Sequence, residues 1–98
     1  MTNPPPPPIR MTVDEIEKVI TSRLFAHADK NGIYAGIDKS ELLYELKEKL
    51  QDRITQGRFD LAIRNIIQRG EILSEEGLLR LGTNYYERLV AEDEPPPF

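Results

Sequence analysis

The side chains with the clearest chemistry in this chain are arginines and side-chain amides concentrated in residues 53–70. Arginine can donate two parallel hydrogen bonds to a phosphate or to guanine, and asparagine or glutamine can pair in the same way with adenine. The segment holds four arginines against one aspartate, a local charge of +3, whereas the whole chain carries −4 and the remainder therefore −7. A basic segment on an acidic body is typical of nucleic-acid-binding surfaces, although it also occurs on proteins that bind none.

The residue types needed for metal or covalent chemistry are scarce. Cysteine is absent and His27 is the single histidine, which excludes thiolate catalysis, disulfides and the usual zinc sites. Glu75 and Glu76 are adjacent carboxylates, but nothing near them in sequence supplies further metal ligands, so a solvated turn is the simpler interpretation. Because no nucleophile–base pair or phosphate-binding loop is present, we expect a protein that is not an enzyme and has no cofactor.

Length and composition bound the architecture. A chain of 98 residues accommodates one domain with one hydrophobic core. With 39% hydrophobic and 31% charged residues the composition is globular, and no apolar run approaches the roughly 20 residues of a membrane span. Residues 1–10 lack the apolar segment of a secretory signal. We therefore expect a cytoplasmic protein without membrane association.

The eight prolines all lie near the ends of the chain, in residues 4–8 and 95–97. Consecutive prolines form an extended polyproline helix and cannot donate backbone hydrogen bonds to a helix or sheet. This placement predicts disordered proline-rich tails at residues 1–10 and 92–98, around one domain at residues 11–91. The N-terminal run is interpreted either as a spacer or as a ligand for a proline-binding module.

Capping residues and apolar spacing predict the first two helices. Thr12 and Glu15 form a capping-box pattern before an apolar stripe that continues to about residue 28. Asp38 and Glu41 repeat the pattern before a leucine stripe that ends at residue 50.

A third helix is predicted between the cap Thr55 and Gly70, which ends it. Its predicted buried face comprises Phe59, Ala62, Ile63, Ile66 and Ile67. The other predicted elements are a brief strand at residues 33–37, hairpin strands at 71–74 and 78–81, and a last helix capped by Thr83. The expected fold is α+β, in the order α-β-α-α-β-β-α.

This order resembles the winged helix-turn-helix fold. The local match runs through apolar residues and one glycine, at the positions Phe59, Ile63, Ile66, Gly70 and Ile72. In winged-helix proteins the corresponding segment is the recognition helix continuing into the first strand of the wing. The resemblance covers residues 12–90 and indicates an architecture, but no specific family within it.

The resemblance implies that residues 38–50 form the supporting helix and that residues 55–70 form the recognition helix, whose outer face enters the major groove. Leu61 lies off the buried stripe, where it contacts a thymine methyl or a partner protein, or is simply an exposed leucine. The residues that the resemblance assigns to DNA contact are Arg53, Gln56, Arg58, Arg64, Asn65, Gln68 and Arg69.

The leading hypothesis is sequence-specific binding of double-stranded DNA by a small transcriptional regulator. A homodimer is expected through Tyr85, Tyr86, Leu89 and Val90, unless these residues cover the protein's own core. The alternative is a winged-helix adaptor that binds proteins and does not bind DNA. It is favoured by the acidic wing tip, since carboxylates near phosphate are repelled, and by a link between the second and third helices that is longer than the usual three or four residues.

Overall fold

The computed structural model describes residues 10–93. It contains four α-helices and a three-stranded antiparallel sheet, so the predicted α+β class is confirmed. The order of elements matches the predicted one, with a short 3-10 turn added between the second and third helices. The elements are α1 (Val13–Asn31), β1 (Ile37–Asp38), α2 (Lys39–Leu50), the 3-10 turn Gln51–Arg53, α3 (Gln56–Gln68), β2 (Ile72–Glu75), β3 (Leu78–Leu81) and α4 (Thr83–Asp93).

The first three helices begin at the residues that the capping pattern predicts. The Thr12 side chain accepts a hydrogen bond from the Glu15 amide, and the Glu15 carboxylate accepts one from the Thr12 amide. Asp38 accepts hydrogen bonds from two amides of the first turn of α2, and Thr55 accepts one from the amide of Arg58. Each cap satisfies amide donors that the helix itself leaves unpaired.

The sheet has the strand order β1-β3-β2. In its register Ile72 pairs with Leu81 and Ile37 pairs with Leu79, and these four buried side chains face the core. The predicted strand at residues 33–37 is wrong for most of its length, because only residues 37 and 38 pair with β3.

The core lies between α1, α3 and the inner face of the sheet. Phe59 and Ile66 of α3 are fully buried, as predicted, whereas Ile67 is 37% exposed, so its predicted burial is wrong. The reason is geometric: Ile67 lies in a surface groove beside Lys39 and Asp60, which the other elements leave open.

The last helix packs on the same core. Tyr85, Tyr86 and Leu89 contact the core cluster, and the Tyr86 ring lies 5.4 Å from the ring of Phe25 in α1. Val90 is half-buried. Much of the surface proposed for a homodimer is therefore used within the domain, and a homodimer stays a prediction. The predictions for residues 1–9 and 94–98 lie outside the described residues. Residues 92 and 93, predicted to belong to the C-terminal tail, are the last two residues of α4.

In residues 10–93, no helix combines the length and apolar character that crossing a membrane requires.

Candidate nucleic-acid interface

The seven candidate contact residues do not share one surface. The buried stripe of α3 packs against α1 and the sheet, so polar residues on either side of it face different neighbours. Four candidates adjoin α1, and we call them the α1-facing set: Arg58 and Asn65 in α3, Arg69 directly after its last residue, and Arg53 in the 3-10 turn before it. The other three lie on the side that adjoins α2 or face solvent, and we call them the outward set: Gln56, Arg64 and Gln68.

Asn65 and Arg69 bind a buried carboxylate of α1. The Glu17 side chain is 9% exposed and accepts a hydrogen bond of 3.1 Å from the Asn65 amide nitrogen. Its other oxygen accepts a hydrogen bond from the guanidinium of Arg69, which also pairs with Glu71 at the start of the hairpin. This group, which we call the Glu17 clamp, ties the C-terminal half of α3 to α1 and to the chain entering β2.

The charges of the clamp stabilise one another. Burial disfavours the ionised form of Glu17, but hydrogen bonds from Arg69 and Asn65 outweigh that effect and lower the pKa of its carboxyl group. The hydrogen bonds that Arg69 donates to Glu71 and Glu17 raise the pKa of its guanidinium. Because Arg69 is matched by two carboxylates, it adds no net positive charge to the surface of α3.

Arg58 and Arg53 are tied to the beginning of α1. Arg58 donates a hydrogen bond of 2.8 Å from Nη1 to the carbonyl oxygen of Met11, and the Met11 amide donates one of 2.9 Å to the carbonyl oxygen of Arg53. Hydrogen bonds from Thr12 are the main reason that the pKa of the Glu15 carboxyl is lowered, and the positive charge of the Arg53 side chain lowers it further. These contacts fix the start of α3 relative to α1.

Arg64 and Gln68 are exposed and, together with Ile67, line a shallow groove of about 400 Å³ along α3. Within residues 10–93 the structure records no ion pair for the Arg64 guanidinium. Lys39, the first residue of α2, enters the same groove and forms a 3.1 Å ion pair with Asp60. Both partners are nearly half exposed, so this pair is weak and easily exchanged for another contact.

Gln56 lies at the opposite end of α3, in a wider groove that also contains Arg10 and Lys47. The groove holds about 610 Å³ and includes one acidic residue, Asp52. The amino-terminal end of α3, which carries the positive end of the helix dipole, is therefore the more basic end of this surface.

The hairpin tip is acidic, as the sequence indicated. Glu75 and Glu76 are both exposed, and Glu75 is paired with Arg80 at 3.2 Å. Leu61 is 43% exposed on the outer side of α3. The outward side of α3 thus combines Arg64, for which residues 10–93 provide no recorded carboxylate partner, with amide and apolar side chains.

Three residues that matter for this surface did not stand out in the sequence. Lys39 and Lys47 belong to α2, and only the packing of α2 beside α3 reveals that they border the same surface. Glu17 could have been suspected, because it precedes Thr21 by four residues and Leu24 by seven and therefore shares the buried face of α1.

Comparison with protein-family models, with curated proteins and with solved structures finds no match to this chain.

Proposed function

We propose that this chain is a winged helix-turn-helix domain that binds double-stranded DNA through the outward side of α3. The helix–turn–helix arrangement of α2 and α3, followed directly by a hairpin, supports this assignment. In this proposal α3 is the recognition helix and the β2–β3 hairpin is the wing.

The observation that carries the proposal is the position of Arg64. It is exposed at the middle of α3, no carboxylate pairs with it in the described part of the chain, and Gln68 lies one helical turn further on. Arginine at this position can bind a phosphate or the acceptor edge of guanine, and glutamine can bind adenine. Gln56, with Arg10 and Lys47 beside it, would approach the duplex from the amino-terminal end of the helix.

The α1-facing set has a different role in this proposal. Arg69 and Asn65 hold Glu17, and Arg58 holds the Met11 carbonyl, so these are positioning residues that fix the angle of α3. The base contacts then fall to the three residues of the outward set. At about 1–3 kcal/mol for each good bidentate contact, one domain can discriminate only a short site. This limit favours a regulator that acts as a dimer on two half-sites.

The wing takes no part in DNA contact in this proposal. Glu75 and Glu76 at its tip would be repelled by phosphates, so the duplex must contact α3 without approaching the hairpin. The acidic tip is also the observation that favours the second candidate function, an adaptor that binds a protein instead of DNA.

Fluorescence anisotropy with a labelled 20-base-pair duplex of mixed sequence, from 50 to 200 mM salt, tests the proposal. We expect affinity to fall steeply with salt, because cations on the protein displace counterions from the DNA. Arg64→Gln should weaken binding, and should reduce the slope of log affinity against log salt by about one if Arg64 binds a phosphate.

Arg88→Gln is the matched control, because it removes the same charge from an exposed site on α4. It should leave both affinity and salt slope nearly unchanged. Absence of binding at 50 mM salt, or equal losses for the two variants, would contradict the DNA proposal. A protein partner captured equally well with and without nuclease treatment would then support the adaptor.

A further inference from the structure

The outer face of the sheet carries an apolar patch with an acidic rim. In an antiparallel pair, residues directly opposite one another point to the same side of the sheet. Leu73 is opposite Arg80, and Leu78 is opposite Glu75, so these four side chains share the face turned away from the core. Leu73 and Leu78 are 36% and 44% exposed, unlike the buried residues of the inner face.

Tyr34 extends this patch from the segment before β1. It is 75% exposed, and its ring lies 5.2 Å from the guanidinium carbon of Arg80. Gly36 permits this close arrangement, because a Cβ at that position would lie 3.0 Å from the Cβ of Leu78 and 3.1 Å from the carbonyl oxygen of Leu79. The segment that carries Tyr34 therefore lies directly against β3, while the tyrosine side chain itself stays largely exposed.

A groove of about 530 Å³ crosses the patch. Its rim carries the carboxylates of Glu75 and Glu76, and Arg80 is engaged by Glu75 and by the Tyr34 ring. An exposed apolar patch with a polar rim marks an interaction surface, and tyrosine is prominent among residues that dominate binding energy.

We propose that this outer hairpin face (Tyr34, Leu73, Leu78 and Arg80, with the Glu75–Glu76 rim) docks a peptide segment of a partner protein, in which an apolar side chain is flanked by lysine or arginine. The apolar side chain enters the groove beside Tyr34 and Leu78, and the flanking cations lie against the rim. The acidic rim opposes a nucleic acid, and it opposes a second copy of the same face because like charges would then be juxtaposed. This face is separate from the outward side of α3, so the inference does not depend on DNA binding.

The test uses the whole chain and a fluorescent eight-residue peptide with one central phenylalanine between pairs of lysines. Two matched peptides replace the phenylalanine with serine or the lysines with glutamates. We expect only the lysine–phenylalanine peptide to bind measurably, with amide chemical-shift changes confined to residues 33–38 and 72–81. Tyr34→Ser should weaken that binding at least about fivefold, and Glu76→Gln about threefold.

Tyr44→Ser is the matched control, because Tyr44 is 67% exposed on α2 and lies outside the groove. It should leave peptide affinity unchanged, and circular dichroism of each variant checks that its fold is retained. The proposal would be overturned if the lysine–phenylalanine peptide failed to bind or if the glutamate peptide bound equally well. It would also be overturned if the two tyrosine variants lost the same amount of peptide affinity. Tyr34-dependent dimerisation in sedimentation equilibrium would overturn it in favour of a second copy as the occupant.

Discussion

Replacing Glu17 with glutamine tests whether the Glu17 clamp holds α3 in place. The substitution keeps the shape of the side chain but removes its charge, so Arg69 and Asn65 lose a charged acceptor. A hydrogen bond to a charged group contributes about 1.5–3 kcal/mol when buried. Because the Arg69 side chain is 48% exposed, its hydrogen bond with Glu17 contributes less than about 1 kcal/mol to the stability of the domain.

The cost of burying the carboxylate offsets part of this gain, because a neutral amide is less expensive to desolvate. We therefore expect Glu17→Gln to lower the free energy of unfolding at pH 7 by about 1 kcal/mol. For a domain of this size that corresponds to a decrease of roughly 4–8 °C in melting temperature. The measurement is urea denaturation followed by far-ultraviolet circular dichroism.

The pH dependence gives a second, independent test. Because the pKa of Glu17 is lowered on folding from its ordinary value of 4.5, the unfolded chain takes up the proton more readily than the folded one. The stabilisation is thus complete above about pH 5 and is lost as the pH falls through the lowered folded-state pKa. The gap in stability between the natural chain and Glu17→Gln should close over that range.

Glu87→Gln serves as the control, since it removes the same charge from an exposed site on α4. A double-mutant cycle between Glu17→Gln and Asn65→Ala should show a coupling of about 0.5–1 kcal/mol. Equal stabilities for Glu17→Gln and Glu87→Gln at pH 7, with parallel pH profiles, would refute the role assigned to the clamp.

Two further predictions concern close packing and assembly. Gly82→Ala should destabilise the domain by about 1–3 kcal/mol, because its Cβ would lie 2.7 Å from the carbonyl oxygen of Gly70. Gly57→Ala should instead stabilise α3 by about 0.5–1 kcal/mol, because the space around Gly57 is open. Thermal melts that rank the two variants in the opposite order would contradict this prediction. If the proposed homodimer forms through α4, sedimentation equilibrium should give twice the 11.3 kDa mass of the chain. The Val90→Asp variant should then sediment with the mass of a monomer. A monomer mass for the unmodified chain would exclude that dimer.

The helices were predictable because their signals are local. A cap such as Thr12 or Thr55 and an apolar stripe with helical spacing act within a few residues of sequence. The strand at residues 33–37 was overestimated because pairing depends on a distant partner: β3 pairs with β1 only through Leu78 and Leu79. Ile67 continues the apolar spacing of α3, and its exposure depends on how α2 lies beside that helix.

The candidate site was predictable as a list of residue types but not as a surface. Periodicity separates the buried side of α3 from the rest, yet it does not say which flank α1 covers. Asn65 and Arg69 follow one another by four residues and therefore share a flank, and in the structure that flank meets Glu17. Arg64, only one residue before Asn65, lies on the other side. Adjacent residues of similar chemistry thus received different roles through tertiary packing alone.

The distribution of charge along α2 connects the two proposals. At its amino-terminal end the amide of Lys39 donates a hydrogen bond of 3.2 Å to the carbonyl oxygen of Gly77, so this end lies against the acidic hairpin tip. At its carboxyl-terminal end Lys47 shares a groove with Arg10 and Gln56 of α3. A duplex drawn to the basic end and repelled by the acidic hairpin tip would lie along α3 from its amino terminus to Arg64 and leave the hairpin exposed. That orientation keeps the outer hairpin face accessible to a protein partner while DNA is bound, and it predicts that the duplex and the lysine–phenylalanine peptide bind without competition.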